Sequence, residues 1–174
     1  MLPRVTFVLG GAASGKSRLA EDLVGKAGLP RVYVATAEAH DDEMRAKLDA
    51  HSAQRGPDWI TIEEPLDLAR VIGDLPEGHV TLIDCATMWL SNLILAGRDA
   101  DAGRDALIAA LREAPGPLVI VSNEVGGGVV PDNALARRFR NAQGALNQAL
   151  AAEADLAVAV IAGLPLVLKG RMPG

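Results

Sequence analysis

The chain has 174 residues, a formal net charge of −5, 49% hydrophobic residues and 22% charged residues. This length predicts one domain, residues 1–174, and Cys85, the single cysteine, excludes an internal disulfide. The acidic balance, with no arm or tail rich in Lys and Arg, argues against a nucleic-acid partner. Because we find neither a signal-peptide pattern nor an apolar run long enough for a membrane span, we expect a cytoplasmic protein with a buried, reduced Cys85.

Short apolar runs alternate with helical patterns along the chain. The predicted strands are residues 5–9, 31–36, 60–62, 80–84, 118–122, 156–161 and 166–168. The predicted helices are residues 16–26, 41–54, 66–75, 87–96, 104–114 and 134–153, the last with an apolar face of Leu135, Phe139, Ala142, Leu146 and Leu150. We predict a flexible connection at 96–105. Continuous apolar strands between helices indicate an α/β fold with a mostly parallel sheet and helices on both faces.

The segment GGAASGKS follows the first predicted strand, opens the first predicted helix and matches the phosphate-loop pattern G-x-x-x-x-G-K-[ST]. Its residues are Gly10, Gly11, Ala12, Ala13, Ser14, Gly15, Lys16 and Ser17. Backbone N–H groups of small residues can surround phosphate oxygens, and the helix N-terminus adds partial positive charge. Lys16 would reach the β and γ phosphates, and Ser17 would ligate Mg²⁺. The pattern favours a P-loop NTPase-like fold over a turn that merely joins a strand to a helix.

Asp84 ends the apolar run VTLID, where P-loop enzymes carry a second metal anchor. Ligands gather at the carboxyl ends of parallel strands. The alternative is that Asp84 caps a helix that begins near Cys85. We favour the metal role because of the phosphate loop.

Two of the three histidines have simple interpretations. His79 precedes a strand in a turn, and we interpret it as solvated. His40 lies in the acidic stretch 38–43, which could be drawn as a metal cluster. More simply, these acidic residues occupy the first turn of a helix, where the helix dipole favours them.

His51 has neighbours that suit nucleotide chemistry. Ser52, Gln54 and Arg55 follow it, and all three can hold a phosphate or a base. Glu63 closes the next short strand and could accept hydrogen bonds from a ribose or a guanine edge. A neutral imidazole is a competent nucleophile near pH 7, but a lone histidine at a helix end is more often a cap or a surface residue. The residues alone leave both interpretations open.

The stretch SNEVGGGVVPDN, residues 122–133, follows a predicted strand and contains three consecutive glycines. A loop at the carboxyl end of a strand is expected to face the ligand, although a flexible tether is the alternative. Arg137, Arg138 and Arg140 follow on the next helix. We predict that they form a solvated face unless the loop folds back over a site.

Together these segments resemble the bifunctional adenosylcobinamide kinase / adenosylcobinamide-phosphate guanylyltransferase family of cobalamin biosynthesis. The resemblance runs nearly end to end and is carried by GGAASGKS, VATAEAHDDEM, HSAQRGPDWITIEEP, LIDCATMWLSNL, SNEVGGGVVPDNALARRFRNAQGALNQALA and AGLPLVLK. It implies an enzyme with two reactions. ATP or GTP phosphorylates a hydroxyl of adenosylcobinamide, and GTP then donates GMP to that phosphate, which gives adenosylcobinamide-GDP and pyrophosphate.

The resemblance also implies a site and an assembly. It makes His51 the nucleophile, which carries GMP as a GMP-histidine. The implied GTP contacts are residues 10–17, Ala35, Thr36, Ala37, Ser52, Ala53, Gln54, Arg55, Glu63 and Asp84. It further implies a homo-oligomer, since the family forms homotrimers, with adenosylcobinamide and its phosphate as small-molecule substrates.

The chain departs from the family pattern at three places. Ala13 replaces an arginine of the phosphate loop. Gly56 separates Arg55 from Pro57, and Gly127 stands where a larger apolar residue is common. None of these changes removes a residue with a named chemical role.

Two other functions stay open at this point. One is a small-molecule P-loop kinase in which His51 is structural. The other is a non-enzymatic nucleotide-binding module that uses the loop 122–133 as a switch. Covalent labelling by GTP and release of pyrophosphate distinguish the three.

Overall fold

The computed structural model describes residues 1–37 and 58–174 of the chain. Its strands are β1 (Val5–Gly10), β2 (Arg31–Ala35), β3 (Trp59–Glu63), β4 (Val80–Asp84), β5 (Leu118–Asn123), β6 (Leu156–Ile161) and β7 (Leu164–Lys169). The helices in the described ranges are α1 (Lys16–Gly25), α2 (Leu68–Gly73), α3 (Ala86–Leu95), α4 (Ala100–Arg112) and α5 (Ala134–Glu153). The predicted helix 41–54 lies outside the described residues.

The strands form one seven-stranded sheet in the order β3-β2-β4-β5-β1-β6-β7. Every neighbouring pair is parallel except β6 and β7, which are antiparallel. The predicted α/β fold with a mostly parallel sheet is therefore confirmed. The register pairs Gly10 with Asn123, and Ala35 with both Asp84 and Glu63, so the carboxyl ends of β1 to β5 share one edge.

Alternation along the strands builds a separate core on each face of the sheet. Leu118 and Ile120 pack with Leu146 in the core beneath α2 to α5. Val119 and Val121 belong to the core on the opposite face, which includes the buried side chains of α1. Because successive strand residues point to opposite faces, a residue's number in β5 predicts which core it meets.

The predicted flexible connection 96–105 is wrong over its second half. Helix α4 begins at Ala100, four residues before the predicted start at 104. The Asp99 carboxylate caps it, because it accepts hydrogen bonds from the backbone N–H groups of Asp101 (2.9 Å) and Ala102 (3.1 Å). Aspartate is among the most favoured N-cap residues, and this signal outweighs the glycines in the stretch.

Helix α5 also departs from its predicted apolar face. Leu135 is 52% exposed, whereas Gln143 and Asn147 are buried alongside Leu146 and Leu150. Two amides therefore occupy core positions of this helix, and their hydrogen bonds bear on the functional site described below.

The strand β7 is an antiparallel edge. A tight turn joins it to β6, with positive φ at Ala162 (52°) and Gly163 (80°), the conformation of a two-residue hairpin turn. Its side chains, including Leu164, Leu166 and Leu168, are exposed. Cys85 is buried, as predicted. Within residues 1–37 and 58–174, every helix is too short or too polar to cross a membrane.

Candidate active site

The phosphate loop joins β1 to α1 at the carboxyl edge of the sheet. The backbone N–H of Ser14 donates to the carbonyl of Gly11 (3.3 Å), and the Lys16 ammonium donates to the same carbonyl (3.1 Å). Lys16 therefore lies across the mouth of its own loop. Ala13, the residue that replaces the family's arginine, is exposed and has a positive φ of 54°. The loop has the short, curled backbone that the sequence pattern predicts.

Two glycines of the loop are required by its geometry. A β-carbon at Gly10 would lie 2.8 Å from the carbonyl oxygen of Val160, which is closer than real contacts allow. Gly15 has a φ of +93°, and a β-carbon there would lie 3.3 Å from the α-carbon of Gly163. The backbone N–H of Gly163 also donates to the carbonyl of Ser14 (2.9 Å). The turn between β6 and β7 thus supports the phosphate loop from outside.

Asp84 lies at the end of β4 on the face of the sheet that carries α1. The Tyr33 hydroxyl donates to its Oδ2 (3.2 Å). Burial raises the pKa of the neighbouring Cys85 thiol, the Asp84 carboxylate raises it further, and the Lys16 ammonium lowers it. Lys16 begins α1 directly after the phosphate loop and Asp84 ends β4, so both lie at the carboxyl edge of the sheet, with β5 between β1 and β4.

The alternative role of Asp84 as a helix cap is not what the structure has. Cys85, and not Asp84, occupies the N-cap position of α3. The metal role of Ser17 and Asp84 stays a prediction.

Thr36, one of the predicted GTP contacts, is fully buried and forms a clamp between β2 and β4. Its hydroxyl donates to the carbonyl of Cys85 (2.8 Å) and accepts from the N–H of Cys85 (2.9 Å). Its own carbonyl accepts from the Asn92 amide (2.8 Å). The polar groups of Thr36 are thus used within the protein, and the Ala35 carbonyl accepts from the backbone N–H of Glu64 (2.9 Å). The predicted contact of Ala35, Thr36 and Ala37 with GTP stays a prediction.

The glutamates at the end of β3 differ in their surroundings. Glu63 is exposed and pairs in register with Ala35. Burial raises the pKa of Glu64, but hydrogen bonds from the backbone of Asp67 and Leu66 and from Arg70 more than offset it, so this pKa lies below its ordinary value. Glu64 therefore holds the turn into α2, and Glu63 faces outward. Glu63 ends β3, which is four strands from β1 and therefore about 19 Å from it at normal strand spacing. The predicted contact between Glu63 and GTP stays a prediction.

A buried polar network at the end of β5 escaped the sequence analysis. The Ser122 hydroxyl donates to Asn147 Oδ1 (2.7 Å) and accepts from Gln143 Nε2 (2.9 Å). The Thr87 hydroxyl lies 3.2 Å from the Ser122 hydroxyl and accepts a hydrogen bond from the backbone N–H of Asn123 (2.8 Å). A signal was present, because Gln143 and Asn147 are four residues apart, at the spacing of the apolar face that contains Leu146 and Leu150.

The glycine-rich loop after β5 folds back onto α5 and onto the phosphate loop. The backbone N–H of Glu124 donates to the carbonyl of Gly10 (3.1 Å). Arg140 donates to the carbonyl of Gly126 (2.9 Å), and Arg137 donates to the carbonyls of Pro131 (3.0 Å) and Asp132 (2.7 Å). The two arginines hold the loop, whereas Arg138 is exposed as predicted.

Several predicted site residues lie outside the described part of the chain. They are His51, Ser52, Ala53, Gln54 and Arg55, together with His40 and its acidic neighbours. His79 is described. It is half-buried, its Nδ1 lies 3.0 Å from the carbonyl of Glu77, and it precedes β4 at the edge of the sheet opposite the phosphate loop.

The arrangement of loop, lysine and strand-end carboxylate is that of a nucleotide-binding enzyme, and comparison with known families decides which one. A family model described as "Cobinamide kinase / cobinamide phosphate guanyltransferase" matches residues 6–168. The chain belongs to this family. The resemblance found from the sequence is therefore confirmed, and with it the prediction of a cobalamin-biosynthesis transferase with kinase and guanylyltransferase activities.

Curated relatives of this cobinamide kinase / guanyltransferase family cover nearly the whole chain. "Bifunctional adenosylcobalamin biosynthesis protein CobP" of Pseudomonas aeruginosa is 46% identical over 168 residues, which are 95% of this chain and 97% of the relative. "Bifunctional adenosylcobalamin biosynthesis protein CobU" of Salmonella typhimurium is 40% identical and that of Escherichia coli 38% identical, each covering 94% of this chain and 98% of the relative.

Solved structures with little sequence identity share the fold. The flagellar accessory protein FlaH of Methanocaldococcus jannaschii superposes with a TM-score of 0.59 at 12% identity, covering 98% of this chain and 81% of FlaH. The RadB recombinase superposes with a TM-score of 0.51 at 17% identity, covering 98% of this chain and 83% of that chain. These likenesses support the fold, a mostly parallel sheet covered by helices, and carry no argument about activity.

Proposed function

We propose that the chain catalyses two successive transfers on a corrinoid. In the first, the hydroxyl oxygen of adenosylcobinamide attacks the γ-phosphorus of ATP or GTP, the bond to the β-phosphate oxygen breaks, and the hydroxyl proton is lost. In the second, a His51 nitrogen attacks the α-phosphorus of GTP and pyrophosphate leaves. An oxygen of adenosylcobinamide phosphate then attacks the same phosphorus, the phosphorus–nitrogen bond breaks, and adenosylcobinamide-GDP forms.

The observation that carries this proposal is the phosphate loop in the setting of a matched family. Lys16 of the loop and Asp84 at the end of β4 carry opposite charges and lie at the carboxyl edge of the same sheet, which is where ligands bind in parallel α/β sheets. The loop's backbone and Lys16 suit the phosphates of either nucleotide. The family match supplies the corrinoid acceptor and the guanylyl step.

The oxygen donors near the loop suit Mg²⁺. A serine hydroxyl and one carboxylate are hard ligands, and Mg²⁺ at nucleotides typically takes one or two carboxylates plus phosphates and waters. Ser17 and Asp84 would hold the ion. When bound, it would neutralise charge on the β and γ phosphates.

The two transfers can be tested by their products. Purified protein with adenosylcobinamide and ATP or GTP should give the phosphorylated corrinoid, and adenosylcobinamide phosphate with GTP should release pyrophosphate. Formation of the phosphate without any pyrophosphate release would support the small-molecule kinase instead. Nucleotide binding without turnover of either kind would support the non-enzymatic module.

Asp84→Asn tests the proposed metal ligand. We expect turnover to fall roughly tenfold or more, and the Mg²⁺ concentration for half-maximal rate to rise, because a neutral amide binds the ion more weakly. The melting temperature should stay close to that of the wild type, because Asp84 does not occupy the N-cap position of α3 and an asparagine oxygen can still accept the hydrogen bond from the Tyr33 hydroxyl. Asp105→Asn, on the exposed side of α4, is the matched control. A lower melting temperature with full activity would contradict the metal role.

We also propose that the chain assembles as a homotrimer. The support in the structure is β7, an edge strand on which Leu164 is 71%, Leu166 54% and Leu168 55% exposed. A long apolar edge of this kind is normally covered. Light scattering in solution should give about three times the chain mass of 18.1 kDa. A monomer at micromolar concentration would contradict this proposal.

A further inference from the structure

Asn123, which follows the five buried residues of β5, lies at the centre of the candidate site. β5 lies between β1, which leads into the phosphate loop, and β4, which ends at Asp84. Asn123 pairs in register with Gly10, the first residue of the loop, so their α-carbons are about 4.8 Å apart. Asn123 therefore stands at the strand end between the phosphate loop and the proposed metal carboxylate.

Alternation assigns the Asn123 side chain to the face where a nucleotide would bind. Val119 and Val121 pack in the core of α1, so Asn123, two residues further, points to that face. Leu82 of β4 also packs in the core of α1, so Asp84, two residues further along that strand, points to the same face. Within the described residues the Asn123 carboxamide makes no hydrogen bond, although the side chain is half-buried. A half-buried amide at a phosphate-binding edge has the chemistry of a ligand contact.

The backbone of Asn123 is held from two helices. Its N–H donates to Thr87 of α3 (2.8 Å), and its carbonyl accepts from the Asn147 amide of α5 (3.1 Å). Gln143 Nε2 completes the network by donating to Asn147 Oδ1 (2.9 Å) and to the Ser122 hydroxyl. Ser122 and Gln143 are fully buried. Apolar side chains of similar shape would serve stability about as well, so the network's distinctive effect is to fix where β5 ends.

We propose that Asn123 binds the γ-phosphate of the nucleoside triphosphate through its side-chain amide, and that Gln143 is a positioning residue that acts through the Ser122–Asn147 network. The inference rests on the proposed function. Lys16 of the phosphate loop would reach the β and γ phosphates, and Ser17 and Asp84 would hold a metal that neutralises their charge, so the γ-phosphate would lie between β1 and β4, where β5 ends. The neutral amide donates a hydrogen bond in both reactions, since the γ-phosphate is transferred in one and leaves within pyrophosphate in the other.

The test compares binding of a triphosphate and a diphosphate. The probes are a GTP analogue with a methylene group between the α and β phosphates, which His51 cannot cleave, and GDP, both with Mg²⁺. Asn123→Ala should weaken analogue binding about 10- to 100-fold, as expected for a hydrogen bond to a charged group, and change GDP binding less than about twofold. Asn123→Asp adds a negative charge in a side chain of the same shape. It should lower the affinity for the analogue relative to GDP at least as much as Asn123→Ala does. Asn141→Ala, exposed on α5, is the matched control.

The role of Gln143 is tested by a double-mutant cycle. Gln143→Met should weaken analogue binding in the wild-type background and have little further effect in Asn123→Ala, because both changes remove the same contact. Fully additive effects would overturn the positioning role. An unchanged analogue-to-GDP ratio in Asn123→Ala, or in Asn123→Asp if the alanine variant does not fold, would overturn the phosphate contact alone. A wild type that binds neither probe would overturn the proposed function as well.

Discussion

Replacing Lys16 with alanine should lower both the kinase and the guanylyltransferase rates by at least about 100-fold, which corresponds to about 2.7 kcal/mol of transition-state stabilisation. In the proposed function both reactions use a triphosphate bound to one loop, and charge-assisted hydrogen bonds to phosphate are among the stronger polar contacts. Steady-state assays of phosphorylated corrinoid and of pyrophosphate measure the two rates separately.

The fold should survive this change. Among the described residues, the Lys16 ammonium donates a hydrogen bond to the carbonyl of Gly11, within the same loop, so its loss removes no contact with another element. Lys26→Ala, exposed just beyond the other end of α1, is the matched control and should keep both activities. A Lys16→Ala protein with near-normal kinase turnover would show that this loop does not hold the reacting nucleotide.

His51→Ala should separate the two reactions. Phosphoryl transfer to a hydroxyl needs the γ-phosphate, the metal and Lys16, and none of these roles requires an imidazole. Guanylyl transfer through a covalent step needs a nucleophile at the α-phosphorus, and family resemblance assigns that role to His51. We therefore expect measurable kinase activity and a loss of GMP transfer of at least about 1,000-fold, or about 4 kcal/mol.

Labelled GTP makes the comparison direct. GTP labelled at the α-phosphate should leave acid-labile label on the wild type, and GTP labelled at the γ-phosphate should leave none. The other two histidines of the chain provide matched controls, so His40→Ala and His79→Ala should keep the adduct while His51→Ala loses it. Self-labelling of His51→Ala at the wild-type rate would show that another residue is the nucleophile, and His40 and Lys47 would be tested next.

Features encoded within a few neighbouring residues could be predicted from the sequence. The phosphate loop depends on eight consecutive residues between a strand and a helix, so its position and its lysine were found directly. The parallel strands are continuous apolar runs, because both of their faces are covered. The start of α4 differs from the prediction although its signal is local, because the N-cap Asp99 outweighs the helix-breaking tendency of the neighbouring glycines.

The tertiary structure decided which distant segments meet at the site. Strand order in a parallel sheet depends on crossovers, so no local pattern places β5 between β1 and β4. That order brings Asn123 to Gly10 and aligns it with the face of Asp84. The network beneath it joins Ser122 to amides more than twenty residues away on α5. The sequence by itself determined the phosphate loop, since eight consecutive residues form it. The residues that surround this loop were set by the packing of α3 and α5 and by the order of β4, β5 and β1.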